Sequence, residues 1–314
     1  MDHKNKTVVK EFIFAGLSEN PKVKPFLFVL FLIIYSLTWL ENSALISVIA
    51  SNEKLHTPMY IFVSQLSLID ICYSSSISIN TLVNLICRKR SISVSGCALQ
   101  LFTYAGLGGT ECYLLAAMAY DRYVAICHPL AYLKIMNKET IRILLLVSYL
   151  SGFLNSFIHT VMSFFHLDFC EPEQHINHFY CDIMALVKIS CGDTKINEIL
   201  IFYLAGFIEL SSLVVILVSY IFIIIAVLRI SSSTGRKKAF STFTCHLTVV
   251  SLFYGIVIFM YLRPSSAYIP DQDKAISVFY TIIIPFLNPL IYSLRNKDVK
   301  NCAKKSLSRV SCKQ

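Results

Sequence analysis

ILIFYLAGFIELSSLVVILVSYIFIIIAVL, Ile199–Leu228, is 30 residues long and carries one charged side chain, Glu209. As a helix it would rise about 45 Å, more than the roughly 30 Å hydrocarbon core of a bilayer. Six further apolar runs accompany it, at about Phe26–Ala50, Pro58–Ile86, Cys97–Ile126, Ile141–Phe165, Ala239–Leu262 and Ala275–Leu294. The rest of the chain agrees. Of its 314 residues 55% are hydrophobic and 15% charged, against about 25% charged in a soluble domain, and its mean hydropathy is +0.63. The fold expected is an all-α membrane protein, a seven-transmembrane helix bundle. A secreted domain, a cytosolic enzyme and a nucleic-acid binder are excluded, so the net charge of +9 reports topology rather than a polyanionic partner. Asp2, Lys4, Lys6, Lys10, Glu11 and Glu19 leave no apolar stretch before the first run, so that run serves as its own targeting signal and no cleaved leader is expected.

An odd number of spans puts the termini on opposite sides. With the N-terminus outside, and with Arg122 and Arg142 counted with the inner loop they flank, the inner segments hold 16 Lys and Arg against 12 outside. The bias favours that orientation. The chain's only N-x-S/T sequon, Asn5-Lys6-Thr7, then lies outside, where glycosylation occurs. Four of the eleven cysteines, Cys97, Cys170, Cys181 and Cys191, also fall at or beyond outer span ends. An oxidising face would bond them in one of three connectivities. The division expected is an outer tail (1–25), a seven-helix membrane domain (26–294) and an inner segment (295–314). That last segment, with seven Lys and Arg plus Val299, Ala303 and Leu307, fits a short amphipathic helix on the inner leaflet, in contact with membrane lipid.

Charged groups inside spans are costly and mark function by default. On the third run Tyr104, Gly108, Glu111, Cys112, Leu115 and Arg122 recur at helical spacing, one face running from the outer half of the membrane to its inner surface. Asp70 and Glu111 are both expected near mid-membrane. Two such carboxyls either share a sodium ion or form a protonated, hydrogen-bonded pair. Glu41 and Glu209 are expected to be buried, protonated acids. Asp121-Arg122 ends the third run, either snorkelling at the boundary or forming a charge switch that opens when a partner inserts. In the last run Pro285 and Pro289 bracket Asn288. Each proline removes a backbone donor, so the segment reads as a hinge, with Asn288 bonding the freed carbonyls and Tyr292 swinging below it.

Five longer motifs follow in order. They are LHTPMY (Leu55–Tyr60), MAYDRYVAICHPL (Met118–Leu130), Ser219-Tyr220, KAFST (Lys238–Thr242) and PFLNPLIYSLRN (Pro285–Asn296). The outer segment adds Phe169-Cys170, His178-Phe179-Tyr180-Cys181-Asp182 and Cys191. Together they resemble the odorant (olfactory) receptors, a branch of the rhodopsin-like (class A) G-protein-coupled receptors, across nearly the whole chain.

The resemblance implies disulfides Cys97–Cys181 and Cys170–Cys191, glycosylation at Asn5, and a relay of Asp121, Arg122, Tyr123, Tyr220, Lys238, His246, Asn288, Pro289 and Tyr292. It implies that the loop at 127–138 and the stretch 229–238 dock a stimulatory, olfactory-type heterotrimeric G protein that raises cAMP, that Asp70 and Glu111 form a sodium or proton site, and that the protein sits in the plasma membrane of olfactory cilia. It carries over a pocket for a small volatile organic ligand at Tyr104, Ala105, Gly108, Gly109, Cys112, Leu204, Ile208, Tyr254, Val257, Ile258, Tyr261 and Thr281. The run Gly106–Gly109 either leaves volume for that ligand or lets helices pack closely. Since none of these twelve side chains is charged, the pocket suits an apolar, weakly polar ligand and disfavours an amine or a phosphate.

Tyr254 and Ile256 stand where most rhodopsin-like receptors have Trp and Pro, as in the odorant branch. Glu41 stands where the family usually has Gly, an acid beside a packing position that would lower surface expression. His175, His178, Cys181 and Asp182 have the chemistry of metal ligands, unless Cys181 is in a disulfide. No hydrolase constellation is present, so no enzyme and no resident cofactor are expected. The rival reading is a small-solute transporter or channel using the intramembrane acids; it lacks the internal repeat of transporter folds.

Overall fold

The computed structural model describes residues 9–18, 20–87, 90–170, 174–229, 247–256, 270–295 and 299–302. The first span is helical over Lys24–Ala50, the second over Pro58–Ile86, the third over Val94–Cys127 and the fourth over Lys138–Phe165. The fifth runs over Lys195–Leu228, the sixth is described over Leu247–Ile256, and the seventh covers 270–295. Local chemistry fixes several starts. Proline sits in the first turn of the first and second spans, where its missing N–H costs nothing. Ser93 Oγ accepts from Gly96 N (3.1 Å) and Asn137 Oδ1 from Thr140 N (2.9 Å), capping the third and fourth.

The spans are apolar on the outside and polar within, the inverse of a soluble protein. The fourth shows it clearly. Leu146, Leu150, Leu154 and Phe157 are each more than half exposed along one face, while Ser148, Gly152, Ser156, His159 and Ser163 are buried on the other. The third span is the axis of the bundle, with buried residues along its length from Cys97 to Val124, and packs on the second, fourth and fifth. The first packs on the second and seventh.

Glycines set how close the third and fourth spans come. A Cβ on Gly152 would stand 2.4 Å from Thr110 N and 2.5 Å from Gly106 O, and one on Gly106 would enter the Phe153 ring. A Cβ on Gly108 would meet only Tyr73, at 3.7 Å. The two readings of the glycine run are therefore divided by residue: Gly106 closes a helix interface, Gly108 leaves space, and Gly109 faces Gly152 Cα at 3.0 Å while still bordering that space.

Three short strands close the outer end. Strand β1 (Glu11–Phe14) pairs antiparallel with β2 (Ser91–Ser93) and parallel with β3 (His175–Ile176). The N-terminal tail thus lies across the outer loops, with Phe12 and Phe14 buried and Phe12 edge-on to Phe169. Gly16 turns the chain off this sheet at φ +77°, where a side chain would be strained. No strand was expected here. At the inner end, Tyr132–Ile135 forms one helical turn after the third span. Of the amphipathic segment, the structure describes Arg295 and helical residues 299–302, with Val299 buried; the remainder lies outside the described residues.

Candidate ligand cavity and signalling relay

A cavity of about 110 Å³ lies among the second to seventh spans, under the outer loop. Tyr104, Ala105, Gly108, Gly109, Cys112 and Ile208 from the expected set border it. Leu204, Tyr254 and Thr281 do not. The fifth span widens into a π-turn at Ile201–Ala205, which changes the register and puts Ile201 and Ala205 on the wall in place of Leu204. Tyr254 is spent on protein contacts: its hydroxyl donates to Ser212 Oγ (2.6 Å) and Cys112 O (3.4 Å), and its neighbour Phe253 takes the wall position. Thr281 Oγ1 donates to Ser277 O (2.6 Å) within its own helix. Val257, Ile258 and Tyr261 lie outside the described residues.

The wall also corrects the expected polarity. Glu111 and Glu209 border the cavity, as do Asn155 and His159 of the fourth span. Asn155 and His159 are four residues apart on one helix face, a polar pair in an apolar span that the sequence reading passed over. The expectation of an uncharged wall came from a list that omitted both acids.

The roof is the outer loop. Cys97 and Cys181 are bonded, as are Cys170 and Cys191. Gln100 Oε1 accepts from Cys181 N (2.9 Å) while its amide donates to Ser76 O (2.8 Å). Tyr180 packs edge-on to Tyr104 and hydrogen-bonds Tyr280, which, with Ile183, borders the cavity. Asp182 caps the loop helix Ile183–Lys188, accepting from Met184 N and Ala185 N. Burial pushes its carboxyl up to about 6, against the pull of those two bonds. Burial, reinforced by the charge of Lys274, pushes His178 down to about 3, and its Nε2 lies 3.2 Å from Ser277 Oγ. The four-residue metal reading fails on this geometry. The Cys181 sulfur is in a disulfide, His178 is enclosed by Phe179 and Tyr180, and His175 is exposed on β3.

Below the cavity, Asn288 Nδ2 donates to both carboxyl oxygens of Asp70 (3.1 and 3.2 Å) and also faces Glu111. It does not serve the proline-freed carbonyls, as the sequence suggested. That task belongs to Asn42. Pro289 has no N–H for the carbonyl four residues before it, and Asn42 Nδ2 donates to that Pro285 O at 3.1 Å. Glu111 Oε1 is buried without a hydrogen-bond partner among the described residues. No group of three or more His, Cys, Asp and Glu is disposed to hold a metal among those residues.

At the inner end Asp121 is fully buried, so it does not snorkel. Its Oδ2 accepts from Arg122 Nη2 (2.5 Å) and Nε (3.0 Å), and its Oδ1 from Tyr132 Oη (2.8 Å). Tyr132, which the sequence reading did not single out, thus holds the inner loop to the charge pair. Burial and the Asp121 charge raise its phenol above the ordinary range. Tyr123 Oη lies 3.1 Å from His128 Nε2 and its ring packs on Phe222. Tyr220 and Tyr292 are buried on the fifth and seventh spans. Lys238 and His246 lie outside the described residues, as does Asn5.

Residues 31–310 match the family described as olfactory receptor. The chain belongs to that family. Olfactory receptor 5AP2 of Mus musculus is 51% identical over 307 residues, 98% of this chain and 96% of its own length. Olfactory receptor 5AR1 of Mus musculus is 50% identical over 309 residues, 98% and 99% of the two chains. Olfactory receptor 5AR1 of Homo sapiens is 49% identical over 311 residues, 99% and 100%. This olfactory receptor is accordingly a multi-pass membrane protein that responds to odorants through a G protein, and its family is one of receptors, not of enzymes.

Proposed function

We propose that the receptor binds small organic odorants in the cavity beneath the outer loop and activates a stimulatory, olfactory-type G protein, raising cAMP from the plasma membrane of olfactory cilia. The observation that carries the reading is the shared third span. Tyr104, Gly108 and Cys112 border the cavity, and the same helix ends in the buried Asp121–Arg122 pair. A ligand that binds the active arrangement more tightly shifts the bundle toward it. At the inner end that shift would free Arg122 from Asp121 toward Tyr220 and Tyr292, with Asn288 and Pro289 as the hinge and Tyr123, Lys238 and His246 at the docking surface. Asp70 and Glu111 would supply the carboxylates for a sodium ion, with Asn288 beside both. The tail at 1–25, glycosylated at Asn5, would lie outside, and the segment at 295–314 would rest on inner-leaflet lipid.

The test is cAMP in cells expressing the receptor and its G protein, read against an odorant panel beside Arg122→Ala. A dose-dependent rise, lost in the variant at equal surface level, is expected. An equal response in Arg122→Ala, or ligand-driven current without G protein, would overturn the reading.

A further inference from the structure

The chemistry of the cavity wall narrows the ligand class. Glu209 of the fifth span and Glu111 of the third both border the cavity, as does Cys112, one position from Glu111. Among the described residues no Lys or Arg borders it and neither acid forms a salt bridge. On the opposite side His159, 5% exposed, holds a buried Nε2 with no hydrogen-bond partner among the described residues. Glu111, 4% exposed, holds Oε1 in the same condition. Asn155 adds a further polar group beside His159, and the remaining wall is apolar or aromatic, with Phe253, Ile208 and Leu101.

Buried polar groups without partners are costly, and a ligand that completes them is favoured over one that does not. A hydrocarbon would leave His159 Nε2 and Glu111 Oε1 without partners among the described residues. A carboxylate or phosphate would meet two carboxyl groups with no cation among the described lining residues to offset them. An amine supplies what the wall lacks: a cation with several N–H donors, on a carbon skeleton that the aromatic and aliphatic wall can cover. Resting on the odorant-receptor reading above, we propose that the cavity selects a small primary amine whose ammonium group pairs with Glu209, with Glu111 and His159 completing its polar surround. The site thereby takes the ligand class that the expected, uncharged set of residues would refuse.

The probe is a set of primary amines of about four to ten carbons, each matched by the alcohol and the carboxylate on the same skeleton. They are applied to cells expressing the full receptor and its G protein, with surface staining throughout. At least one amine is expected to raise cAMP at lower concentration than its matched alcohol. In Glu209→Gln its half-maximal concentration should rise about tenfold or more, equivalent to about 1.4 kcal/mol, while the alcohol shifts little. Glu209→Asp, which keeps the carboxylate, should restore part of the amine response and guards against a simple folding defect. An amine response unchanged in Glu209→Gln overturns the proposal. A wild type that answers alcohols and no amine also overturns it, while leaving the receptor reading intact. Silence to the whole set overturns the amine assignment too, and an Arg122-dependent basal cAMP level then separates that failure from failure of the receptor reading.

Discussion

The two ends of this bundle are closed by different means. The outer end is held by two disulfides, a three-stranded sheet that recruits the N-terminal tail, and an aromatic cluster around Tyr180. Among the described residues the inner end carries the Asp121–Arg122 charge pair, with Tyr132 on it, and the Tyr123–His128 contact. Covalent bonds and buried aromatics do not exchange on the time scale of signalling, whereas an ion pair with a few hydrogen bonds can open at a cost of a few kcal/mol. The fold thus fixes the outer end and leaves the inner end, the proposed G-protein face, free to open.

The largest expected effect tests the fixed end. Cys97→Ser removes the bond between the third span and the roof, a loss of about 2–5 kcal/mol. Surface staining should fall to near background; staining at the wild-type level would show that the roof does not depend on that bond. Between the ends, Gly152→Ala forces a methyl group against Thr110 N. An overpacked contact costs about 1–3 kcal/mol, and the melting temperature of purified receptor should drop by several degrees.

Glu41 sharpens the contrast from a third side. It is half-buried, with Oε2 unpartnered among the described residues, next to the Asn42 that serves Pro285. An acid inside a span costs about 2.5–3.5 kcal/mol, and glycine in a helix about 1 kcal/mol. Glu41→Gly should therefore gain about 1.5–2.5 kcal/mol and raise surface expression, and unchanged staining would count against this balance.

The smallest effect is a pH dependence of the roof. His178 protonates near 3 when folded, against an ordinary value near 6.5, so the stability it contributes is lost as pH falls from about 6.5 toward 3. Asp182 protonates near 6 when folded, against 3.8. The folded loop then binds a proton that the unfolded chain releases, and it gains stability as pH falls from about 6 to about 4. Each contributes at most about 1.4 kcal/mol per pH unit. In the wild type they oppose one another, so the melting temperature should change little between pH 6 and pH 5. Asp182→Asn removes the gain, and its melting temperature should fall by about 2–4 °C over the same interval. A flat profile in Asp182→Asn would contradict the opposition.

Most of the bundle was legible because a 30 Å apolar layer imposes a signal that one sequence window contains. Pro58–Ile86 was read to the residue, since proline starts that span and polar residues follow it. The strands were not legible. Ile13 pairs with His175, 162 positions away, and strands of two to four residues show no period to read. Leu204 was placed on the wall by ideal helical spacing, which the π-turn at Ile201–Ala205 breaks. Glu209 was noticed as an intramembrane acid, but its place on the cavity wall depends on how the fifth span faces the third and fourth, which spacing along one helix does not contain. Tyr132 lies in a loop, and only the folded chain brings its hydroxyl to Asp121.

The central claim is that the Asp121–Arg122–Tyr132 contact holds the inner end closed in the absence of ligand. Basal cAMP of Asp121→Asn against wild type, at matched surface expression and with no odorant, measures it directly. Losing a charged hydrogen-bonded pair worth about 1.5–3 kcal/mol should raise basal cAMP several-fold. A baseline unchanged or lower in Asp121→Asn would contradict the claim.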